Sequence, residues 1–146
     1  MKIFLSLDSL WMEHGKKNYK YKIERIQMFT VDIFLKVQSQ LRILHWQTHS
    51  YAEHQALGKA YEGLDPLIDS FVESYMGRYG KRVGGSFNIS IMDYDKAKPI
   101  MILSAFGNYL ANDLPKMLNE NDTDLLNIRD EMLDIVNTTK YLLTLS

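Results

Sequence analysis

The sequence predicts an all-α fold, a four-helix bundle with a long crossover connection between the second and third helices. Only three prolines and eight glycines occur among the 146 residues, so long stretches lack the residues that usually form turns. Apolar side chains recur at the 3.6-residue spacing of an α-helix in four separate segments. The segment between the second and third loses that spacing, as expected of a bundle with one crossover.

The first two helices are predicted from two apolar stripes. Over about residues 22–48, apolar side chains such as Phe34 and Leu41 recur on one helical face. The second stripe covers about residues 57–79. Pro66 lies in its middle, but the spacing keeps its phase across the proline, so we expect a kink within one continuous helix.

The last two helices follow a connection of irregular spacing. Residues 78–95 include the adjacent glycines Gly84 and Gly85 and predict a long ordered link with room for a short extended piece. Helical spacing resumes over about residues 96–118. It resumes again after residues 122–123, an Asp and a Thr, which are favourable helix N-caps.

Length and composition predict one soluble domain across residues 1–146. We expect residues 1–21 to form an N-terminal arm or short docking helix, and residues 22–146 to form the bundle. The 17 basic and 18 acidic residues give a net charge of −1, so no overall field attracts nucleic acid or anionic lipid. No apolar run approaches the roughly 20 residues that span a membrane, and we expect a cytoplasmic protein.

Histidines and carboxylates form a cluster of candidate metal ligands. The chain has no cysteine, which leaves these two residue types as the strong ligands. On helical wheels, one flank of the core carries His45, His54, Glu62, Asp65, Asp69 and Glu73. Taken singly, such residues are more often a hydrogen-bonded histidine or a solvated carboxylate. Together they are a ligand set for iron or another divalent metal in a bundle.

Distances along the helices limit how such a site could form. At 1.5 Å per residue, His54 and Asp69 are about 22 Å apart on one helix, and Glu73 is farther. Residues 96–146 contain no histidine, so the last two helices lack the Glu-x-x-His pairs of a di-iron centre within one chain. An antiparallel two-fold partner would bring Asp69 and Glu73 of one chain to His45 and His54 of the other.

The outer face of the first helix also favours a partner. Met28, Leu35, Ile43 and Trp46 fall off its core stripe and would be exposed in an isolated bundle. An exposed apolar patch more often marks a protein interface than a defect. Self-association is therefore expected.

The spacing of the candidate ligands resembles that of a known family. LHW at residues 44–46, then His54, then Asp69 and Glu73 at intervals of fifteen and four residues, resemble the ferroxidase signature of Dps proteins, the miniferritins of starved bacterial cells. The chain is also similar to Dps-like proteins of phages and other viruses. The resemblance covers about residues 35–80 as a motif and the remainder only as four-helix architecture.

The resemblance implies a ferritin-like four-helix bundle whose dimers assemble into a dodecameric shell and oxidise Fe²⁺ with peroxide or O₂ at the dimer interface. It implies that His45 and His54 of one subunit and Asp69 and Glu73 of the other bind the metal, with Trp46 beside the centre. The implied function is iron storage and protection against oxidative damage, in the host cytoplasm if the chain is viral.

Two departures from the family pattern bear on activity. The family places an Asp one turn after the second histidine, where this chain has Gly58; His49 or Glu62 could supply the missing ligand. The interval between His45 and His54 is also shorter than in the bacterial proteins, which requires a tight turn. Gly58 favours an alternative function, a catalytically degenerate ferritin-like structural or interaction protein, viral in origin, whose histidines bind zinc or no metal.

A basic segment precedes the first predicted helix. Residues 15–22 carry four lysines, Lys16, Lys17, Lys20 and Lys22, in the sequence GKKNYKYK. Some Dps proteins bind DNA through basic N-terminal arms, which neutralise phosphates. Lysines near a terminus are more often solvated, so the sequence favours a solvated lead-in over DNA binding.

Overall fold

The structure is a computed structural model that describes the backbone of residues 15–145 and the side chains of residues 31–145. Residues 1–14, the larger part of the expected N-terminal arm, lie outside the described residues. The side chains of the lysines at positions 16, 17, 20 and 22 also lie outside them.

The described chain is helical apart from its connections. Its elements are α1 (Gly15–Gln47), α2 (Tyr51–Tyr79), α3 (Pro99–Asn108), a π-helical turn (Tyr109–Asp113), α4 (Leu114–Met117) and α5 (Thr123–Leu143). The segments α3, π turn and α4 follow one another without a break and form the third long helix. Residues 15–145 contain no strand, which confirms the predicted all-α fold with four long helices.

Two helix starts differ from those predicted. α1 begins at Gly15, seven residues before the predicted start at residue 22, so the backbone of the basic segment is part of this helix. No proline or further glycine occurs there to end the helix. The third helix begins at Pro99 and not near residue 96, because Lys98 is extended (φ −66°, ψ 144°), as the residue before a proline usually is.

The π turn in the third helix has a local cause. Pro115 has no N–H group, so one carbonyl in the preceding turn loses its helical donor. The amide of Leu114 donates to the carbonyl of Tyr109, five residues earlier. The guanidinium of Arg129 in α5 donates to the carbonyl oxygen of Leu110 at 3.0 Å. The wide turn and the arginine together satisfy the carbonyl groups around the proline.

α2 continues through Pro66, as predicted, and is capped at both ends. At its start, the hydroxyl of Ser50 accepts a hydrogen bond from the Glu53 amide at 3.3 Å. At its end, Gly80 adopts φ 68°, and its amide donates to the carbonyl of Met76 at 2.8 Å. Glycine adopts positive φ without steric cost, so it is the residue suited to this helix terminus.

The four long helices pack as a closed ring. α2 contacts α1 and α5, and the third helix contacts the same two. At one end of the bundle, Arg78 and Tyr79 of α2 bond to Asp122 and Asp124 at the start of α5. The opposite end, where α1 turns into α2, is called the hairpin end below.

Residues 80–98 form the crossover, which returns along the bundle to the hairpin end. Gln40 of α1, only 1% exposed, holds it there, because its amide both donates to and accepts from the backbone of Met92 at 2.8 Å. Gln47 likewise accepts from the Tyr94 amide at 2.8 Å. The third helix therefore begins at the hairpin end and runs parallel to α2.

An aromatic and aliphatic core fills the ring. Phe34 of α1 packs edge-on against Phe71 of α2 and Phe106 of α3, with ring centroids 5.3 and 6.3 Å apart. Each fully buried side chain of this kind contributes about 1.5–3 kcal/mol. Among residues 15–145, no helix is both long and apolar enough to cross a membrane.

Candidate metal centre

His45 and His54 face each other across the turn between α1 and α2. His45 lies in the last turn of α1 and His54 in the first turn of α2. Their rings are stacked, with centroids 3.6 Å apart and planes 18° apart. Nδ1 of His45 lies 2.7 Å from the backbone carbonyl oxygen of His54, and Nδ1 of His54 lies 2.8 Å from that of His45. The tight turn that the short interval requires is therefore formed.

These reciprocal contacts assign the tautomer of both rings. A backbone carbonyl oxygen can only accept, so each Nδ1 must carry the hydrogen that it donates. In the neutral imidazole the other nitrogen, Nε2, is then unprotonated and able to bind a metal ion. An Nδ1–H donated to a backbone carbonyl is a usual support for a metal-binding histidine. Each ring is thus held in place with one nitrogen that carries no hydrogen.

Gly58 leaves the space into which His45 packs. A Cβ atom at position 58 would lie 3.0 Å from Cε1 and 3.2 Å from Nδ1 of His45. Only a residue without a side chain accommodates the ring as it lies. The Asp of the family pattern would therefore require the His45 ring to shift.

A ladder of side chains continues from His45 along the α1–α2 seam. The ring of Tyr61 packs edge-on against His45, with centroids 5.3 Å apart. The guanidinium of Arg42 lies 4.6 Å from the centre of the Tyr61 ring and forms an ion pair with Asp65. Gln38 donates to the other oxygen of Asp65 at 2.7 Å. Both carboxylate oxygens of Asp65 are thus bound by Arg42 and Gln38, so Asp65 is no longer a candidate metal ligand.

Sequence reasoning did not select Tyr61 or Arg42. The signal was available, because Tyr61 lies seven residues after His54 and Arg42 three before His45. Residues separated by three, four or seven positions share one helical face. Both side chains were therefore predictable neighbours of the pair once the two helices faced each other.

Asp69 and Glu73 lie far from the histidines within the chain. α2 is continuous from Tyr51 to Tyr79, so the fifteen residues between His54 and Asp69 correspond to about 22 Å. Both carboxylates are exposed and form no ion pair with another described residue. Glu73 lines an open depression of about 540 Å³ at the end of α2. Residues 31–145 contain no group of three or more His, Asp or Glu side chains placed to hold a metal ion.

The remaining predicted site residues are also exposed. His49 lies in the turn between α1 and α2, and Glu62 lies on the outer side of α2. Trp46, expected beside the centre, is 67% exposed. Within one chain, the phenol ring that packs against His45 is that of Tyr61.

The carboxylate of Glu53, next to His54 in the sequence, contacts the crossover. The hydroxyl of Tyr94, in the crossover, donates to the side chain of Glu53, and this bond, with burial, raises the pKa of Tyr94. The Oε1 atom of Glu53 is buried without a protein hydrogen-bond partner among the described residues. The Glu53 side chain therefore ties α2 to the crossover.

The described residues thus form an all-helical bundle with a stacked histidine pair at its hairpin end. The chain belongs to the family described as "Family of unknown function (DUF5856)", which matches residues 45–143. The matched region begins at His45 and includes all the predicted ligands. The chain is also 26% identical over 114 residues to the "Uncharacterized 14.6 kDa protein in mobD-ri intergenic region" of Enterobacteria phage T4, covering 77% of this chain and 84% of that protein. No solved structure matches the chain.

Proposed function

We propose that the chain is a ferritin-like protein of the Dps type that binds Fe²⁺, its substrate, at sites shared by two chains. The arrangement that carries the proposal is the His45–His54 pair, in which each Nε2 carries no hydrogen. The same hairpin carries two carboxylates, Asp69 and Glu73, that form no ion pair with another described residue. Neither half is a metal site by itself. An antiparallel second copy would join the halves into two equivalent sites.

The order of the helices supports the ferritin-like part of the proposal. α1 and α2 are antiparallel neighbours, and the crossover returns along the bundle before the third helix begins. The third helix then runs parallel to α2, with α5 returning beside both. Ferritin-like folds are bundles of this kind with one long crossover connection.

Exposed side chains on the hairpin support a second copy as partner. Leu35 and Trp46 of α1 are 39% and 67% exposed, and Tyr51 at the start of α2 is 77% exposed. Ile43, predicted on the same face, is partly buried, and the Met28 side chain lies outside the described residues. Large aromatic side chains beside the histidine pair are suited to an interface that also encloses the metal site.

For the proposed oxidation of Fe²⁺, the protein supplies metal ligands and negative charge. It does not need to supply a general acid or base. Two Fe²⁺ ions each lose one electron, and hydrogen peroxide takes both electrons with two protons to give two water molecules. The imidazoles orient the ion, and Asp69 and Glu73 of the other chain neutralise its charge. In a closed shell the oxidised iron would be stored inside, which would protect the surrounding cell from peroxide.

A second candidate function is that of a catalytically degenerate interaction protein of a phage. Each imidazole is already stacked and hydrogen-bonded, so the pair also stabilises the hairpin without any metal. Gly58 removes a family ligand, and the T4 protein is a phage relative. In this case the exposed aromatic side chains would bind another protein, and the histidines would bind zinc or nothing.

Titration with Fe²⁺ under anaerobic conditions, followed by peroxide, tests the proposal. We expect rapid formation of Fe³⁺, measured by absorbance, in the wild type. We expect its loss in both His54→Ala and Asp69→Ala. Asp134→Ala, which removes an exposed carboxylate of α5, is the matched control and should oxidise iron normally. No oxidation by the wild type would favour the interaction protein, and light scattering would separate a dimer from a dodecameric shell.

A further inference from the structure

We infer that residues 3–7, the apolar sequence IFLSL, dock into the open depression at the end of α2 of the same chain. The inference stands apart from the proposed function. It follows from an unfilled space beside a helix glycine, from the reach of the chain that precedes α1, and from the charges at the depression.

The depression has room for several apolar side chains. Its volume is about 540 Å³, and the described residues that line it are Glu73, Met76, Gly77, Gly80, Lys81 and Arg82. A cavity of about 150 Å³ already holds a benzene ring. The two glycines leave the backbone bare, and the flexible thioether of Met76 adapts to apolar partners of varied shape.

Gly77 is a helix glycine whose lack of a side chain no described neighbour explains. A Cβ atom at Gly58, Gly63 or Gly107 would lie 3.0, 3.0 or 3.3 Å from a side chain of a neighbouring helix. At Gly77 it would meet no described atom within 4 Å, and this residue does not have positive φ. Glycine inside a helix costs stability relative to alanine, so close packing of another segment is a usual reason for it.

The helix α1 begins well beyond Gly77 at the far end of the bundle. Phe34 of α1 packs on Phe71 of the antiparallel α2. At 1.5 Å per residue, Gly15 lies about 28 Å from Phe34 toward that end, and Gly77 lies about 9 Å from Phe71 in the same direction. Gly15 is therefore roughly 19 Å past Gly77 along the bundle axis.

This distance decides which surface the IFLSL segment can reach. An extended chain spans about 3.3 Å per residue, so Leu7 can lie up to about 26 Å from Gly15 and Phe4 up to about 36 Å. Both can therefore turn back to Gly77. The exposed Trp46 at the hairpin end is about 46 Å from Gly15 along α1 and lies beyond their reach.

The composition of the segment also suits the depression. Ile3, Phe4, Leu5 and Leu7 are four large apolar side chains within five residues, and removing them from water is favourable. Asp8 follows directly. Its charge is opposite to that of Arg82, which is exposed and has no ion-pair partner among the described residues.

Glu73 lines the same depression. A docked IFLSL segment and the second chain of the proposed function would therefore compete for this face of α2.

Tryptophan fluorescence of the full chain tests the docking. The chain has two tryptophans, Trp11 and Trp46, so Trp11→Phe with Trp46→Phe gives a background without indole. In this background, Phe4→Trp places one indole in the segment, and Leu7→Trp provides a second, separate reporter. We expect blue-shifted emission and several-fold slower quenching by acrylamide than for the free peptide of residues 1–14. Full exposure of both indoles would overturn the inference.

Filling the depression should release the protected indole. Gly77→Gln adds a side chain where a Cβ meets open space, and Gly84→Gln does the same in the crossover, outside the depression. We expect fast quenching in Gly77→Gln and unchanged quenching in Gly84→Gln. Equal quenching in these two variants would overturn the assigned docking surface. Protection that is lost on dilution would show that the segment docks on a second copy, which would overturn docking within one chain.

Discussion

The imidazole of His45 and the imidazole of His54 each bind the backbone of the other residue. The two rings are stacked at 3.6 Å, and each Nδ1 lies within hydrogen-bonding distance of the other's carbonyl oxygen. The contact joins the last turn of α1 to the first turn of α2, where helix ends leave backbone groups without helical partners. It therefore stabilises the hairpin and also orients two potential ligands.

We expect His54→Ala to lower the free energy of unfolding by about 1–3 kcal/mol, because it removes a hydrogen bond and the stacking partner of His45. Urea denaturation measures the change. His49→Ala, in the exposed turn, should alter the same quantity by less than about 0.5 kcal/mol. Equal effects in the two variants would show that the reciprocal contact contributes little to stability.

Mixed dimers should reveal whether the site is shared between chains. One chain would carry His45→Ala with His54→Ala and the other Asp69→Asn with Glu73→Gln, each with a different affinity tag. In an antiparallel pair, one of the two sites of the mixed dimer keeps all its ligands, and the other loses all of them. We expect each variant alone to bind no Co²⁺, and the purified mixed dimer to bind half the wild-type amount. A mixed dimer without binding would contradict shared sites.

The long helices were predictable because their apolar periodicity matches the buried faces. Leu41, Leu44, Leu57 and Leu64, all at core positions of the two stripes, are fully buried. The start of the third helix and its π turn were not predicted from periodicity. They depend on the backbone restrictions of Pro99 and Pro115 and on a donor from Arg129, which is distant in sequence.

The candidate site was likewise predictable from the sequence only in part. Helical spacing correctly placed His45 and His54 near each other and Asp69 far away. It did not reveal the stacking of the two rings, because that depends on the three-residue turn and on the absence of a side chain at Gly58. A shared site between two chains remains a prediction, since its second half belongs to another copy.

The far end of the bundle should respond to alkaline pH through Tyr79. Its hydroxyl donates to Asp122, which is only 2% exposed, and burial together with that carboxylate raises the pKa of Tyr79. The folded protein therefore holds this proton more tightly than the unfolded chain does. The resulting stability is present below the ordinary tyrosine pKa of about 10 and is lost as pH rises above it.

Tyr79→Phe tests this pH dependence by removing the titrating group. At pH 7 the variant should be less stable than the wild type by about 1–2 kcal/mol, because Asp122 loses a hydrogen bond in a buried position. Above about pH 10 the difference should narrow, since only the wild type then loses stability through this group. Thermal denaturation of both proteins across this range provides the measurement. A constant difference would contradict the raised pKa of Tyr79.

Two glutamines of α1 bind the crossover in similar ways but at different depths, so they form a matched pair. Gln40→Ala would leave the backbone N–H and carbonyl of Met92 without their partner at a position where Gln40 itself is 1% exposed. We expect a loss of about 1–3 kcal/mol in the free energy of unfolding and faster hydrogen exchange of the Met92 amide. Gln47 makes comparable bonds on the exposed surface, where water can replace them, so Gln47→Ala should cost less than about 1 kcal/mol. If the two variants lost equal stability, burial of the Gln40 contact would not be what anchors the crossover to the hairpin end.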